Sequence, residues 1–197
     1  KKEMIKAIMA CDDKGGISRN GILPWPHNSR DMKWFKQNTV EQVVIMGRKT
    51  WEDGCEYMPL LDRKNVVVSK TVGATAHQKK SVITTRGSII SQKQYGVFTH
   101  ARPKTVLFSA AQHIIIDHIE KSIRELEKQY SKKILWIIGG GSIIKQTLNM
   151  VEEFYLTRIA GTYDCDTFLP LNELNAWPVT WEEVHDEETF QILSNPK

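Results

Sequence analysis

Short apolar runs return along this chain at intervals that leave room for a helix between them, and that alternation constrains the fold more than any other feature. The runs MIKAIMA (4–10), VVIMG (43–47), NVVVS (65–69), ILWIIG (134–139) and FYLTRI (154–159) are too short for separate helices. Each is bounded by Gly, Asn, Asp or Ser, the pattern of a buried strand. Helical segments lie between them, at 29–38, at 48–54, at about 117–130 and from Gly140 onward. Strand alternating with helix predicts an α/β fold whose mostly parallel sheet is flanked by helices on both faces. The tail NAWPVTWEEVHDEETFQIL holds two strand-like pieces around an acidic turn and predicts an antiparallel C-terminal edge hairpin.

A length of 197 residues with 41% hydrophobic content fits one domain, 1–197, carrying a less regular excursion at about 71–112. Within that excursion ARPK reads as the turn of a hairpin between 97–100 and 105–108. The segment DHIEKSIRELEKQY (117–130) reads as scaffold: Ile119, Ile123, Leu126 and Tyr130 form one stripe, and Asp117 with Glu120 resembles a capping box.

Charge narrows the partners. Lys and Arg exceed Asp and Glu by 27 to 23, giving +4, which mildly favours anionic small molecules and is far from a polybasic nucleic-acid surface. The N-terminal apolar run is too brief for a signal sequence, and no stretch approaches membrane-spanning length, so a cytoplasmic protein without a membrane partner is expected. Cys11, Cys55 and Cys165 form no Cys-x-x-Cys pair, and His27, His77, His100, His113, His118 and His185 show no metal spacing, so no metal site is expected. None of the histidines is expected to be catalytic.

Three strand ends carry anion chemistry. In IIGGGSIIKQ (137–146) a strand runs into three glycines and a helix, where a ligand can approach the backbone and meet the helix's positive end. Ile144 stands where a third fingerprint glycine would be, so this is not a dinucleotide fingerprint, and by itself the turn also reads as close packing. Gly47 ends a second strand, with Arg48, Lys49 and Thr50 opening a helix. Ser69 and Lys70 end a third. In open α/β sheets ligands bind at this carboxyl edge. Together the three ends point to a dinucleotide with an extra phosphate: the glycine turns for pyrophosphate, and Arg48, Lys49, Ser69 and Lys70 for a ribose phosphate.

In LPWPHNSRDMKWFKQNT (23–39) an acid, Asp31, shares a helical face with Trp34, Phe35 and Asn38. A first-turn carboxylate suits the helix dipole, which is one reading. The other is a ligand site, because an unpartnered ionised acid is costly to bury and a ligand with paired N–H donors would remove that cost. The preceding GILPW reads as a loop that closes over a ligand.

These motifs in this order resemble dihydrofolate reductase: GILPW (21–25), DMKWFKQNT (31–39), VIMGRKTW (44–51), RKNVVVS (63–69), IIGGG (137–141), YLTRI (155–159) and DTFLP (166–170). The resemblance covers most of the chain except about 71–112. It implies reduction of dihydrofolate by NADPH in a monomer, with hydride transfer to C6 and protonation at N5. Asp31 would hydrogen-bond the pteridine, Thr157 would connect to it, and Trp25 would wall the site through water. Leu23 to Trp25 would form the lid under which water supplies the proton. Ile8, Met9, Met32, Phe35 and Met58 would line the substrate slot, and Arg63 would bind the glutamate carboxylate, a bidentate match suited to Arg. Ala10, Ile17, Gly47, Arg48, Lys49, Thr50, Val68, Ser69, Lys70, Ile138, Gly139, Gly140, Gly141, Ser142 and Ile143 would hold NADPH, with the Gly139–Gly140 peptide cis. Departures from the family pattern are Ser18 for a glycine, Met9 for an alanine, Gly54 for a larger aliphatic and Ile144 for a tyrosine. Competing readings are the related pyrimidine reductase of riboflavin synthesis, which lacks the acid-bearing helix, and a non-catalytic protein that kept the fold.

Overall fold

The computed structural model describes residues 5–54, 58–69, 111–115 and 119–197. The expected hairpin between 97–100 and 105–108, nearly all of the 71–112 excursion, Lys70 and the Asp117 cap lie outside the described residues. The ordered elements are β1 (Ile5–Cys11), β2 (Gly16–Ser18), α1 (Ser29–Thr39), β3 (Val43–Gly47), α2 (Arg48–Asp53), β4 (Lys64–Ser69) and β5 (Ala111–Ile115). They continue with α3 (Ile119–Gln129), β6 (Leu135–Gly139), α4 (Gly141–Thr147), a 3-10 turn at Leu148–Met150, β7 (Glu153–Ile159), β8 (Thr167–Phe168), α5 (Leu171–Leu174), β9 (Val179–Val184) and β10 (Glu188–Ser194).

Eight strands form one sheet in the order β5-β4-β3-β6-β1-β7-β10-β9, while β2 and β8 pair separately. Every neighbouring pair from β5 to β7 is parallel, and β10 runs antiparallel to both β7 and β9. The expected parallel sheet with an antiparallel edge hairpin is therefore the observed one. β5 was not anticipated: AQHII lies at the end of the excursion, and its β-branched pair was the only local signal.

Side-chain alternation divides the core into two layers. Val43, Ile45, Val66, Val68, Leu135 and Ile137 join one cluster, against Ile123 and Leu126 of α3 and Ile143 and Ile144 of α4. Val44, Met46, Val67, Trp136 and Ile138 join the other, against Trp51 of α2 with Trp34 and Phe35 of α1. The continuous apolar runs are thus buried on both faces, as a parallel sheet requires. Parallel register puts all the strand ends with chemistry on one edge: Gly47 pairs with Val68 and Met46 with Gly139. Among the described residues no helix is long and apolar enough to cross a membrane.

Candidate active site

Helix α1 begins where Asn28, in extended conformation, accepts the Asp31 backbone N–H on its side-chain oxygen at 2.9 Å. Such a cap contributes about 1 kcal/mol and fixes the first turn. The Asp31 carboxyl interacts with Thr157 of β7. Burial raises its pKa above the usual carboxylate range, the Thr157 hydroxyl pulls it back down, and the Glu188 carboxylate raises it again. Thr157 is buried, and among the described residues its hydroxyl completes no hydrogen bond of full geometry, so its influence on Asp31 is that of a close dipole. Register brings Thr157 beside Ala10 of β1 and Phe190 of β10.

Glu188 is buried at the start of β10. It accepts from Asn28 Nδ2 at 2.8 Å and from Arg30 Nε. Burial alone would raise its pKa, but these two bonds and the Arg30 charge outweigh it, and the net shift is downward.

The expected slot residues surround Asp31 unevenly. Ile8 is buried in the same cluster that Trp34, Phe35 and Met58 pack against. Met9 reaches the glycine turn: a Cβ on Gly139 would stand 3.1 Å from its methyl. Met32 follows Asp31 on α1 and is exposed. Trp34 faces the sheet, stacked on Tyr155 at 5.5 Å and tilted on Phe190 at 4.8 Å, so it supports the helix from behind. Arg63 is buried, its Nε donating to Thr39 Oγ1 at 2.8 Å, its Nη1 to the Leu61 carbonyl at 2.9 Å, and its plane over the Phe35 ring. Burial pulls its pKa down.

The loop before α1 is a tethered one. Asn20 and Gly21 both have positive φ, and Arg19 and Ile22 exchange two backbone bonds of 2.9 Å, which makes an Asn-Gly hairpin tip. Its tip presses on α2, since a Cβ on Gly21 would stand 2.1 Å from the Asp53 carboxylate. Asn20 N–H donates to Asp166 at 2.8 Å, and Arg19 pairs with Asp164. Beyond the tip Leu23 is exposed, whereas Trp25 is buried edge-on to Tyr163.

The cofactor candidates gather at the carboxyl edge. Gly47 and Gly140 precede α2 and α4 without a side-chain hydrogen bond at either cap, and neither first turn carries an acid. Gly139 has φ +124°, and the Gly139–Gly140 peptide is cis. Among the described residues a Cβ on Gly140 would meet only Thr50 Oγ1, at 3.2 Å, so ligand atoms can come to the backbone. Lys49 and Ser142 are exposed, and Arg48 leans on Glu52 at 3.9 Å. Ile17 flanks Gly141, and Ile138 and Ile143 are buried beneath the turn. Val68 is buried, and Ser69 ends β4 at the same edge. Uncapped helix starts, two cations and bare glycine backbone together fit a pyrophosphate with an added phosphate.

Three groups escaped the sequence reading. Asn28 stands at the helix start, an N-cap signal. Asn20-Gly21 is a hairpin-tip signal. Glu188 falls in phase with the inward Phe190, and a charge at an inward strand position marks a built interaction.

The fold and the site define an α/β protein with an anion-binding glycine edge and a half-buried acid against one sheet. The dihydrofolate reductase family model matches residues 4–99 and 97–194, and the chain belongs to that family. It is 30% identical to dihydrofolate reductase type 9 of Escherichia coli over 197 residues, covering 98% of this chain and 93% of that one. It is 29% identical to bifunctional dihydrofolate reductase-thymidylate synthase 2 of Arabidopsis thaliana, over 87% of this chain but 27% of the length of that relative. The dihydrofolate reductase of Enterococcus faecalis solved with NADP(H) has the same fold, with a TM-score of 0.66 at 22% identity, covering 99% of this chain and 98% of that one.

Proposed function

We propose that this chain reduces 7,8-dihydrofolate to 5,6,7,8-tetrahydrofolate with NADPH, acting as a cytoplasmic monomer on a free small molecule, with no nucleic acid or membrane partner. The observation that carries the reading is Asp31 of α1: a half-buried acid with a raised pKa beside the buried hydroxyl of Thr157, itself on the sheet that ends in the Gly47 and Gly139–Gly141 turns. When bound, NADPH supplies the hydride for C6. Asp31 accepts the paired N–H donors of the pteridine and orients the ring, with Thr157 fixing the carboxyl. Ile8, Met9, Met32, Phe35 and Met58 line the slot, and Arg63 takes the glutamate carboxylate with the N–H groups not spent on Thr39 and Leu61. Leu23 and Trp25 close over the ring and admit the water that protonates N5. Gly47, Arg48, Lys49, Thr50, Ser69 and the Gly139–Ile143 turn hold the phosphates, with Ala10, Ile17, Val68 and Ile138 beside them and Lys70 completing the set. Most of the acceleration comes from holding two rings together in a site that excludes water.

Mixing the full chain with NADPH and dihydrofolate and following nicotinamide absorbance tests this. Oxidation that needs both compounds and stops with stoichiometric methotrexate is expected; no oxidation together with no methotrexate binding overturns the reading.

A further inference from the structure

Asp31 is not positioned by its own helix alone. Asn28 uses both ends of its amide: Oδ1 accepts the Asp31 backbone N–H at 2.9 Å, and Nδ2 donates to Glu188 at 2.8 Å. An amide so clamped cannot flip, because either flip would set like groups together. Glu188 also accepts from Arg30, the residue between the cap and the acid, so one buried carboxylate on β10 holds both sides of the first turn. It is in addition a second negative charge facing Asp31. The other charged groups around it are Arg30 on α1 and His185, Asp186 and Glu187 in the turn between β9 and β10. Buried carboxylates are rare unless they are paired, and this one has a side chain with 0% exposure.

We infer that Glu188 is a positioning residue for the folate-site acid: through Asn28 it fixes where the Asp31 carboxyl points, and through its own charge it sets the pH range in which the site works. The inference rests on the reading of the site as a folate reductase. The two actions are separable. Glu188→Gln removes the charge, whereas Asn28→Ser keeps an oxygen to cap the helix but drops the link to Glu188.

Steady-state kinetics of the full chain across pH is the test. Glu188→Gln should move the pH profile of kcat/KM for dihydrofolate to lower pH, since a repelling charge on Asp31 is gone. Asn28→Ser should raise the KM for dihydrofolate roughly 3- to 10-fold, the loss of one buried hydrogen bond, with the profile in place. Glu188→Asp, which keeps the charge, should restore the profile. Superimposable profiles and an unchanged KM in Glu188→Gln, or an unchanged KM in Asn28→Ser should Glu188→Gln not fold, overturn the inference. If the wild-type chain fails to turn over dihydrofolate, the function falls separately. Carbon-13 NMR titration of Asp31 in the unliganded protein then decides: an Asp31 titration that shifts downward in Glu188→Gln supports the inference, and an unmoved one overturns it.

Discussion

The acid side of the site and the glycine side meet a polar ligand against a buried sheet in opposite ways. On the acid side, side chains do the work: Asn28, Arg30 and Glu188 anchor the turn, and Thr157 lies against the carboxyl of Asp31. On the glycine side, the chain withholds side chains: Ile143 and Met9 pack close to Gly47 and Gly139, while the backbone at Gly140 and the starts of α2 and α4 carry no side-chain cap beside Arg48 and Lys49. A rigid acid must match one heterocycle, whereas a phosphate is satisfied by any converging N–H groups and cations. Substitutions on one side should therefore damage one ligand and spare the other.

The largest separation is expected from Asp31→Asn. It should lower kcat/KM for dihydrofolate on the order of a hundred- to a thousand-fold near neutral pH, with partial recovery in acid, where substrate arrives protonated. Rate measurements across pH check this. A loss that does not depend on pH would mean that Asp31 only shapes the slot.

On the other side, the double variant Arg48→Ala with Lys49→Ala should weaken NADPH about tenfold or more, the cost of losing charge-assisted bonds to phosphate, and should weaken NADH far less. Titration of the two nucleotides by protein fluorescence checks this. Equal losses would remove the extra phosphate from the role of these cations.

The two sides were unequally legible. The glycine turns are contiguous in sequence, so GRKT and GGGS could be read directly, and parallel register brings Gly47 and Gly139 to one edge. The acid network is assembled from residues 28, 30, 31, 157 and 188, and spacing within α1 could not reveal Glu188 on the last strand. Trp34 shows the same limit: helical spacing put it on the face of Asp31, but a helix stripe is wide, and the sheet took the larger ring for its aromatic layer with Tyr155 and Phe190. Arg63 is expected to bind the glutamate carboxylate, and two of its nitrogens are already committed to Thr39 of α1 and the Leu61 carbonyl.

The loop joins the two sides and should respond next. Gly21→Ala places a Cβ against Asp53 at a residue with φ +77°, so the hairpin tip must leave α2. A several-fold fall in kcat with smaller changes in both affinities is expected, by stopped-flow, at a strain of about 1–3 kcal/mol.

The smallest effect is on stability, and its sign differs between the two carboxylates. Asp31 has a folded pKa above its ordinary 3.8, so its contribution is full below that value and is lost as pH rises through the folded pKa. Asp31→Asn should then raise the Tm of the unliganded protein at neutral pH and leave it unchanged in strong acid. Glu188 is shifted down from 4.5, so its contribution is present above that value and is lost as pH falls through the folded pKa. Thermal melts across pH that showed Asp31→Asn to be the less stable protein at neutral pH would contradict the raised pKa of Asp31.

Calorimetric binding of NADPH and of methotrexate, each to wild type and to Asp31→Asn, tests the division of the site most directly. Methotrexate affinity should fall at least about a hundredfold, as for a buried charge-paired contact, while NADPH affinity stays at the wild-type value. Unchanged methotrexate binding, or an equal loss of both ligands, would contradict it.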